Sequence, residues 1–275
     1  MNEIEIKCLD KGFVRLVDVM GDDTAIVQAA RVSYGKGTKS MTEDRSLIRY
    51  LMRHKHTSPF EMVEFKFHVK LPIFIARQWI RHRTANVNEY SGRYSEMRDD
   101  FYIPELTQIK PQSLFNKQGR AEECLDTDKA MLIAGKMENT QKQLFAEYTD
   151  FLDNDVAREI ARINLPLSTY TEWYWKIDLH NLFHFLRLRM DSHAQYEFRV
   201  YGKAIADIIS EIVPLAYEAF EDYTMNSVTF TKAEFEALKI YLRNNTINQD
   251  ELLALGLSKG EINEYQEKIN KLNME

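Results

Sequence analysis

Between Met62 and Leu71 apolar and polar residues alternate without a break. Val63, Phe65, Phe67, Val69 and Leu71 fall on one side, and Glu64, Lys66, His68 and Lys70 on the other. A period of two places each set on its own face of an extended chain, so this segment reads as a strand half-buried against a core. Such a strand cannot stand alone. Its backbone N–H and C=O groups need neighbouring strands, and its apolar face needs a covering layer.

The neighbouring sequence offers both. Ile4 to Lys7 and Phe13 to Met20 read as short strands, followed by a helix from Asp22 to Val32. Ser40 with Glu43 has the spacing of a capping box for a helix running to His54. Pro72 opens a helix from Pro72 to His82, since its missing N–H is harmless in a first turn. Further helical patterns run over Ala121–Leu152, Val156–Ile163 and Asp178–Glu221, with Pro166 and Pro214 as interruptions and any break in the last placed near Asp191. Strands and segregated helices indicate an α+β fold, mixed strands packed with long helices.

After Thr224 the texture changes. Thr231 with Glu234, Asn248 with Glu251 and Ser258 with Glu261 each have capping-box spacing, and Leu252, Leu253, Leu255 and Leu257 supply apolar content. The expected organisation is a main domain over 1–222 and a small helical C-terminal appendage over 223–275, its role open, more simply a solvated docked tail than a partner-binding module.

Bulk properties exclude several classes. With 36 Lys and Arg against 42 Asp and Glu, the net charge of −6 suits neither duplex DNA nor RNA. Charges interrupt the stretch from Asn2 to Asp23, so no secretory signal is expected there, and no apolar run reaches bilayer length. Cys8 and Cys124 are the only cysteines, too few for a disulfide framework. A cytoplasmic globular protein is the expectation.

The chemistry concentrates in two places. From Leu71 to Ile109 there is no lysine, yet Arg77, Arg81, Arg83, Arg93 and Arg98 occur there with His82 among them. Arginine without lysine indicates a need for a planar fork, as in bidentate recognition of phosphate. On a helix over 72–82, Phe74, Arg77, Gln78 and Arg81 share one face, while Ile73, Ala76, Trp79 and Ile80 share the packing face. The competing reading, a solvated basic face, is outweighed by the small and polar residues of Ser91-Gly92-Arg93-Tyr94 beside these arginines. The second place is the helix from Asp178, where Leu182, Phe185, Leu186 and Arg189 share a side with His193 close to it. A cation among Leu and Phe needs an anion or acceptor, unless it snorkels to solvent.

Other motifs fall short. His180 and His184 have the spacing of a zinc pair, but Asn181 stands where a metalloprotease has glutamate, and no third ligand is implied, so no metal is expected. The segment Gly35 to Ser40 lacks the spacing of a phosphate loop, and there is neither GxGxxG nor a nucleophile elbow.

The run Arg81-His82-Arg83, seven residues, then Ser91-Gly92-Arg93 resembles the signature of the flavin-dependent thymidylate synthases. Three more blocks agree in order: His56-Thr57-Ser58-Pro59-Phe60-Glu61, then Glu159-Ile160-Ala161-Arg162 before Leu165-Pro166, then Leu188-Arg189-Met190-Asp191-Ser192-His193-Ala194-Gln195. The resemblance covers residues 1 to 222. It implies reductive methylation of dUMP to dTMP, with methylenetetrahydrofolate as carbon donor, FAD as cofactor and NADPH as reductant, in a homotetramer with shared active sites. By position it implies that Gln78, Trp79, Ile80, Arg81, Glu89, Tyr90, Ser91, Gly92, Arg93, Arg162 and Arg189 contact dUMP. It further implies that Ser58, Arg81, His82, Arg83, Glu89, Asp178, His180 and His184 contact FAD, with His56 near the flavin or the folate. Arg189 is implied as the catalytic group that binds the uracil and favours ionisation at N3.

The unrelated class of thymidylate synthases needs an activated cysteine thiolate. Cys8 lies in the N-terminal strand and Cys124 in the acidic stretch Glu122 to Asp126, neither near the arginine motif. Asn86 stands where many relatives have serine. Asp178 and His180 stand where some have asparagine and arginine, so those two flavin contacts are the weakest implications. Two rivals are a flavoenzyme of this architecture acting on another pyrimidine nucleotide and a nucleic-acid-binding protein using the same arginines on phosphates.

Overall fold

The computed structural model describes residues 4–32, 41–114, 118–244 and 246–273. The chain forms two compact units, Met1–Tyr223 and Thr224–Glu275.

The first unit is built on a five-stranded antiparallel sheet in the order β1-β2-β3-β5-β4, with β1 Glu5–Cys8, β2 Gly12–Met20, β3 Glu64–Pro72, β4 Asn86–Glu89 and β5 Tyr170–Asp178. The alternating segment is β3, and it lies at the centre. Val63, Phe65, Phe67, Val69 and Leu71 are wholly buried, each worth about 1.5–3 kcal/mol of hydrophobic stabilisation. β5 runs beside it in full register, from Glu64 opposite Asp178 to Pro72 opposite Tyr170.

Neither β5 nor β4 is among the strands expected from the sequence. β5 carries the same alternation, with Thr171, Trp173, Trp175 and Ile177 buried, but Tyr170 and Tyr174 between them blur the polar phase. β4 falls in what reads as a polar loop. Its four residues are all exposed and it is a strand only through backbone pairing with β5.

The helices of this unit are α1 Asp23–Arg31, α2 Met41–Arg53, α3 Ile73–Trp79, α4 Thr127–Asp153, α5 Arg158–Ala161, α6 Leu179–Arg189, α7 Tyr196–Ile212 and α8 Pro214–Phe220. The proposed cap Ser40 lies outside the described residues. Three boundaries differ from expectation. The helix after β3 ends at Trp79 instead of His82, because Ile80 turns the chain toward β4. The long pattern from Asp178 is three helices, interrupted at 190–195 and by Val213, where Pro214 enters a new first turn. The pattern from Ala121 becomes helical only at Thr127, with Asp126 accepting from Lys129 N.

α3, α6 and α7 cover the buried face of the sheet. Gly12 is required where α7 meets it: a Cβ there would collide with the Tyr201 hydroxyl and lie 2.7 Å from the Lys70 carbonyl oxygen. α8 is held to α1 by Asp23, whose carboxylate accepts from Leu215 N at 2.8 Å and Ala216 N at 2.9 Å.

The second unit comprises α9 Lys232–Asn244, α10 Gln249–Ala254 and α11 Lys259–Asn273. All three expected capping boxes form: Thr231 with Glu234, Asn248 with Glu251 and Ser258 with Glu261 exchange reciprocal side-chain to backbone hydrogen bonds. Ala237, Leu252, Leu257, Ile262, Tyr265 and Ile269 form its own core, whereas Leu253 is exposed. Among the described residues no helix is long and apolar enough to cross a membrane.

Candidate active site

The end of α3 is anchored by Trp79. Its indole is 1% exposed and meets the rings of Trp173, Trp175, Phe185, Phe198 and Tyr201 at centroid distances of 4.8 to 6.0 Å. Its side chain is therefore part of the core, and any nucleotide contact from Trp79 falls to its backbone. Ile80 is exposed at the helix end, off the packing face assigned to it, because the helix stops one residue earlier. From there a turn closed by His82 N donating to Trp79 O at 2.9 Å delivers Arg81, His82 and Arg83 to the surface.

His82 and Arg189, distant in sequence, meet on this aromatic floor. The Arg189 Nε donates to His82 Nε2 at 2.9 Å. The guanidinium lies over the Phe198 ring at 4.6 Å, and the His82 ring meets Phe185 edge-on at 4.9 Å. Burial, the Arg189 charge and then His184 push the His82 pKa down to about 4. The imidazole is thus neutral, with its proton on Nδ1 and Nε2 as acceptor. Burial, reinforced by Arg81, lowers the pKa of Arg189 too, though a guanidinium stays charged at any ordinary pH. The acceptor that a cation on an apolar face needs is His82. No partner is found among the described residues for the two terminal nitrogens of Arg189.

A second candidate binding surface comes from the chain after β4. Tyr90 N donates to Glu172 O at 2.8 Å, and Tyr94 N and Ser95 N both donate to Ser91 O. This turn docks on the α5 segment: Arg93 Nε lies 3.0 Å from Glu159 Oε2, and Arg162 packs directly over Gly92. A Cβ on Gly92 would stand 3.1 Å from Arg162 Cδ and 3.2 Å from its Nη1. The segment around Ser91 and the separate segment ending at Arg162 are therefore one surface. Glu89, on β4, accepts from Thr171 Oγ1 at 2.8 Å. Gln78, half-buried on α3, donates to Gln195 Oε1 at 2.6 Å.

Of the residues expected at a flavin, Arg83 and His184 lie beside His82. Arg83 and His82 line a cleft of about 200 Å³ with Trp79, Ile80, Ala85, Val87, Trp173 and Trp175. His184 is 6.1 Å from His82 between ring centroids, and burial, Arg187 and His180 lower its pKa. Asp178 is the N-cap of α6, accepting from Asn181 N at 2.9 Å and Asn181 Nδ2 at 2.7 Å, so both carboxylate oxygens are engaged. Ser58 and His56 are exposed in the turn between α2 and β3.

Most arginines elsewhere in the first unit, such as Arg15, Arg45, Arg49, Arg98 and Arg120, pair with carboxylates. Arg77, Arg81, Arg83, Arg162, Arg187 and Arg189 form no ion pair among the described residues. Arg81 and Arg189 close to one another, with Arg187 near His184 and neutral His82 between them in the aromatic cluster, offer unpaired guanidinium groups to an anionic, planar ligand.

The chain is 54% identical over 265 residues to the flavin-dependent thymidylate synthase of Treponema denticola, an alignment covering 96% of this chain and 97% of that protein. Residues 15–215 match the family described as thymidylate synthase complementing protein. The chain belongs to the flavin-dependent thymidylate synthase family. The relative from Wolbachia pipientis wMel is 55% identical over 247 residues, 90% of this chain and 87% of its own. Among solved structures, a UMP/dUMP methylase, PolB from Streptomyces cacaoi bound with 5-Br dUMP, superposes with a TM-score of 0.73 at 35% identity, covering 80% of this chain and 98% of that one. Because the Treponema alignment spans 96% of the chain, it reaches into the second unit, on which the sequence resemblance is silent.

Two parts of the site escape sequence reading. The floor of Trp173, Trp175, Phe185 and Phe198 reads locally as ordinary core. Gln195 and Glu197 reach the site only through the fold, since Gln78 and Gln195 are 117 positions apart.

Proposed function

We infer that this protein is an enzyme that methylates dUMP to dTMP reductively, with FAD as its cofactor. The observation that carries the reading is Arg189, free of carboxylates and held by neutral His82 beside Arg81, in a chain of this family. Methylenetetrahydrofolate as carbon donor, NADPH as reductant, a homotetramer with shared sites and a cytoplasmic location belong to the same proposal. They are supported by what is typical of the family.

The donor set fits an anionic flavin dinucleotide. Arg81 and Arg83 are exposed without carboxylate partners, and His82 and His184 are imidazoles whose pKa values are lowered. We assign Ser58, Arg81, His82, Arg83, Glu89, His180 and His184 to the flavin. Asp178 keeps chiefly its cap role, its oxygens already accepting from Asn181. When bound, the flavin supplies the electrons of the methylation.

The chain's own residues bind and polarise the nucleotide. We assign Arg162, Ser91, Gly92 and Arg93 to an anion cradle, and Arg81 and the backbone of Tyr90 to the same nucleotide. Arg189 is the catalytic group. Its terminal N–H fork is aimed at the pyrimidine, where it stabilises negative charge developing across N3 and the adjacent carbonyl. Neutral His82 fixes that fork by accepting from Nε, leaving the other two nitrogens for substrate. Phe198 beneath the guanidinium excludes water from one side.

The test is product formation read by mass spectrometry, with dUMP, methylenetetrahydrofolate and NADPH, on FAD-loaded and FAD-stripped protein. dTMP only with FAD is the expected result, and flavin binding without dTMP would sink the substrate assignment. UMP belongs beside dUMP in that assay, because the PolB relative is described as acting on both.

A further inference from the structure

Glu197 opens the first turn of α7 and is 1% exposed. A carboxylate this deep is tolerated only when paired and hydrogen-bonded. Here Oε1 accepts from the Tyr102 hydroxyl at 3.0 Å and pairs with Arg120, and Oε2 accepts from Gln195 Nε2 at 2.9 Å. Burial alone would raise the Glu197 pKa, but the Arg120 ion pair and the Gln195 hydrogen bond leave it lowered. Burial and the neighbouring carboxylate raise the Tyr102 pKa, so its hydroxyl remains a donor.

Those facts set a direction along the chain of side chains. An ionised carboxylate only accepts, so Gln195 must turn its NH₂ toward Glu197. Its carbonyl oxygen then faces Gln78, and Gln78 must turn its own NH₂ toward it, at 2.6 Å. The Gln78 Oε1 is left without a protein partner among the described residues. Reversing either amide would set two acceptors, or two donors, against each other. Against a charged partner this is disfavoured on the order of 10- to 100-fold.

We propose that Glu197 is a positioning residue which, through Gln195, holds the Gln78 amide with Oε1 presented to the nucleotide, so that this subsite selects a ligand carrying an N–H or O–H donor there. The inference rests on the reading of Gln78 as a nucleotide contact. The donor is either N3–H of the base or the 3′-hydroxyl of the sugar, and both are donors of the same kind to a carbonyl oxygen.

The experiment is calorimetric titration of the FAD-loaded full chain with dUMP, its 3′-deoxy analogue and its N3-methyl analogue. Wild-type protein should bind one analogue about three- to tenfold more weakly than dUMP, the range for one neutral hydrogen bond; which analogue it is identifies the donor. In Glu197→Gln the new carbonyl oxygen stays on Tyr102 and Arg120 and the new NH₂ faces Gln195, so the relay reverses and Gln78 presents its NH₂; that gap should shrink toward unity or invert. Gln195→Met gives the same test one link closer. It leaves Glu197 with Tyr102 and Arg120, and the Gln195 side chain makes no cap hydrogen bond that would be lost, so this variant decides the question if Glu197→Gln does not fold. A merely structural role for Glu197 would weaken all three ligands alike and preserve the ratio. An unchanged ratio in a folded variant, or no gap in the wild type, overturns the proposal while leaving dUMP binding intact. Failure of the wild type to bind dUMP overturns the substrate reading as well.

Discussion

Replacing Arg189 by lysine keeps a positive charge and removes a shape. The guanidinium makes two contacts at once, Nε to His82 Nε2 at 2.9 Å and its face on Phe198 at 4.6 Å, and keeps a pair of terminal nitrogens without a protein partner among the described residues. An ammonium on a flexible stem can satisfy one of these at a time. Losing the His82 hydrogen bond and the stacking removes about 1 kcal/mol each from the ordering of the side chain. Offset by the hydrophobic stem that lysine retains, this lowers the melting temperature by no more than about 2–4 °C. The loss at the transition state is larger. One preorganised donor aimed at developing charge is worth about 3 kcal/mol, so kcat/KM for dTMP formation should fall roughly 100-fold. The assay is steady-state dTMP formation by chromatography, run with flavin absorbance to show that FAD content is unchanged. A variant with full flavin and kcat/KM within about threefold of wild type would refute the argument, because one donor is reckoned at far more than that.

Other outcomes follow from the same geometry. The His82 pKa is lowered from 6.5 to about 4; the unfolded chain therefore takes up the proton first, and His82 draws stability down as pH falls through that window. In His82→Gln the loss of melting temperature between pH 7 and pH 5 should be smaller than in the wild type, and parallel profiles by scanning fluorimetry would contradict the assignment. Gly92→Ala places a methyl group 2.7 Å from Met97 Sδ and 3.1 Å from Arg162 Cδ. The methionine can move aside but Arg162 must shift, so the KM for dUMP should rise several-fold with little change in melting temperature. Cys8 is buried, and burial pushes its thiol up to about 12; a Cys8→Ala, Cys124→Ser double variant should still form dTMP, and abolition of product with FAD bound would reopen a thiolate mechanism. In the second unit, Glu234 is both the partner of Lys268 and half of the Thr231 capping box. Glu234→Ala should destabilise that unit by about 1–2 kcal/mol and speed hydrogen exchange across α9 and α11.

What can be read from the sequence divides along physical lines. β3 is plain because its polar phase is charged, Glu64, Lys66, His68 and Lys70, against five wholly buried apolar residues. β5 has the same periodicity, yet tyrosines occupy parts of its polar phase and the run reads as uniformly aromatic. β4 has one apolar residue in four and gains its structure entirely from Lys176, Trp175, Tyr174 and Trp173 opposite. The three capping boxes of the second unit are visible because a cap is a local interaction over three residues. The arginines and Ser91-Gly92 are visible as a composition. That Arg189 finds His82, and Gln78 finds Gln195, is not, since each pair is joined only after the sheet has brought α3, α6 and α7 together.

The aromatic floor has a consequence for how this protein tolerates change. Phe185 and Phe198 support His82 and Arg189 directly, and Trp79 leads straight into the motif from the same cluster. A conservative swap among these rings, Phe198 to leucine for example, need cost no more than other volume-preserving core changes, yet it tilts the platform on which two site residues rest. Drift in this part of the interior should therefore be registered first as lost turnover in protein that still melts normally. Variation within the cluster is constrained by the chemistry above it more tightly than by folding itself.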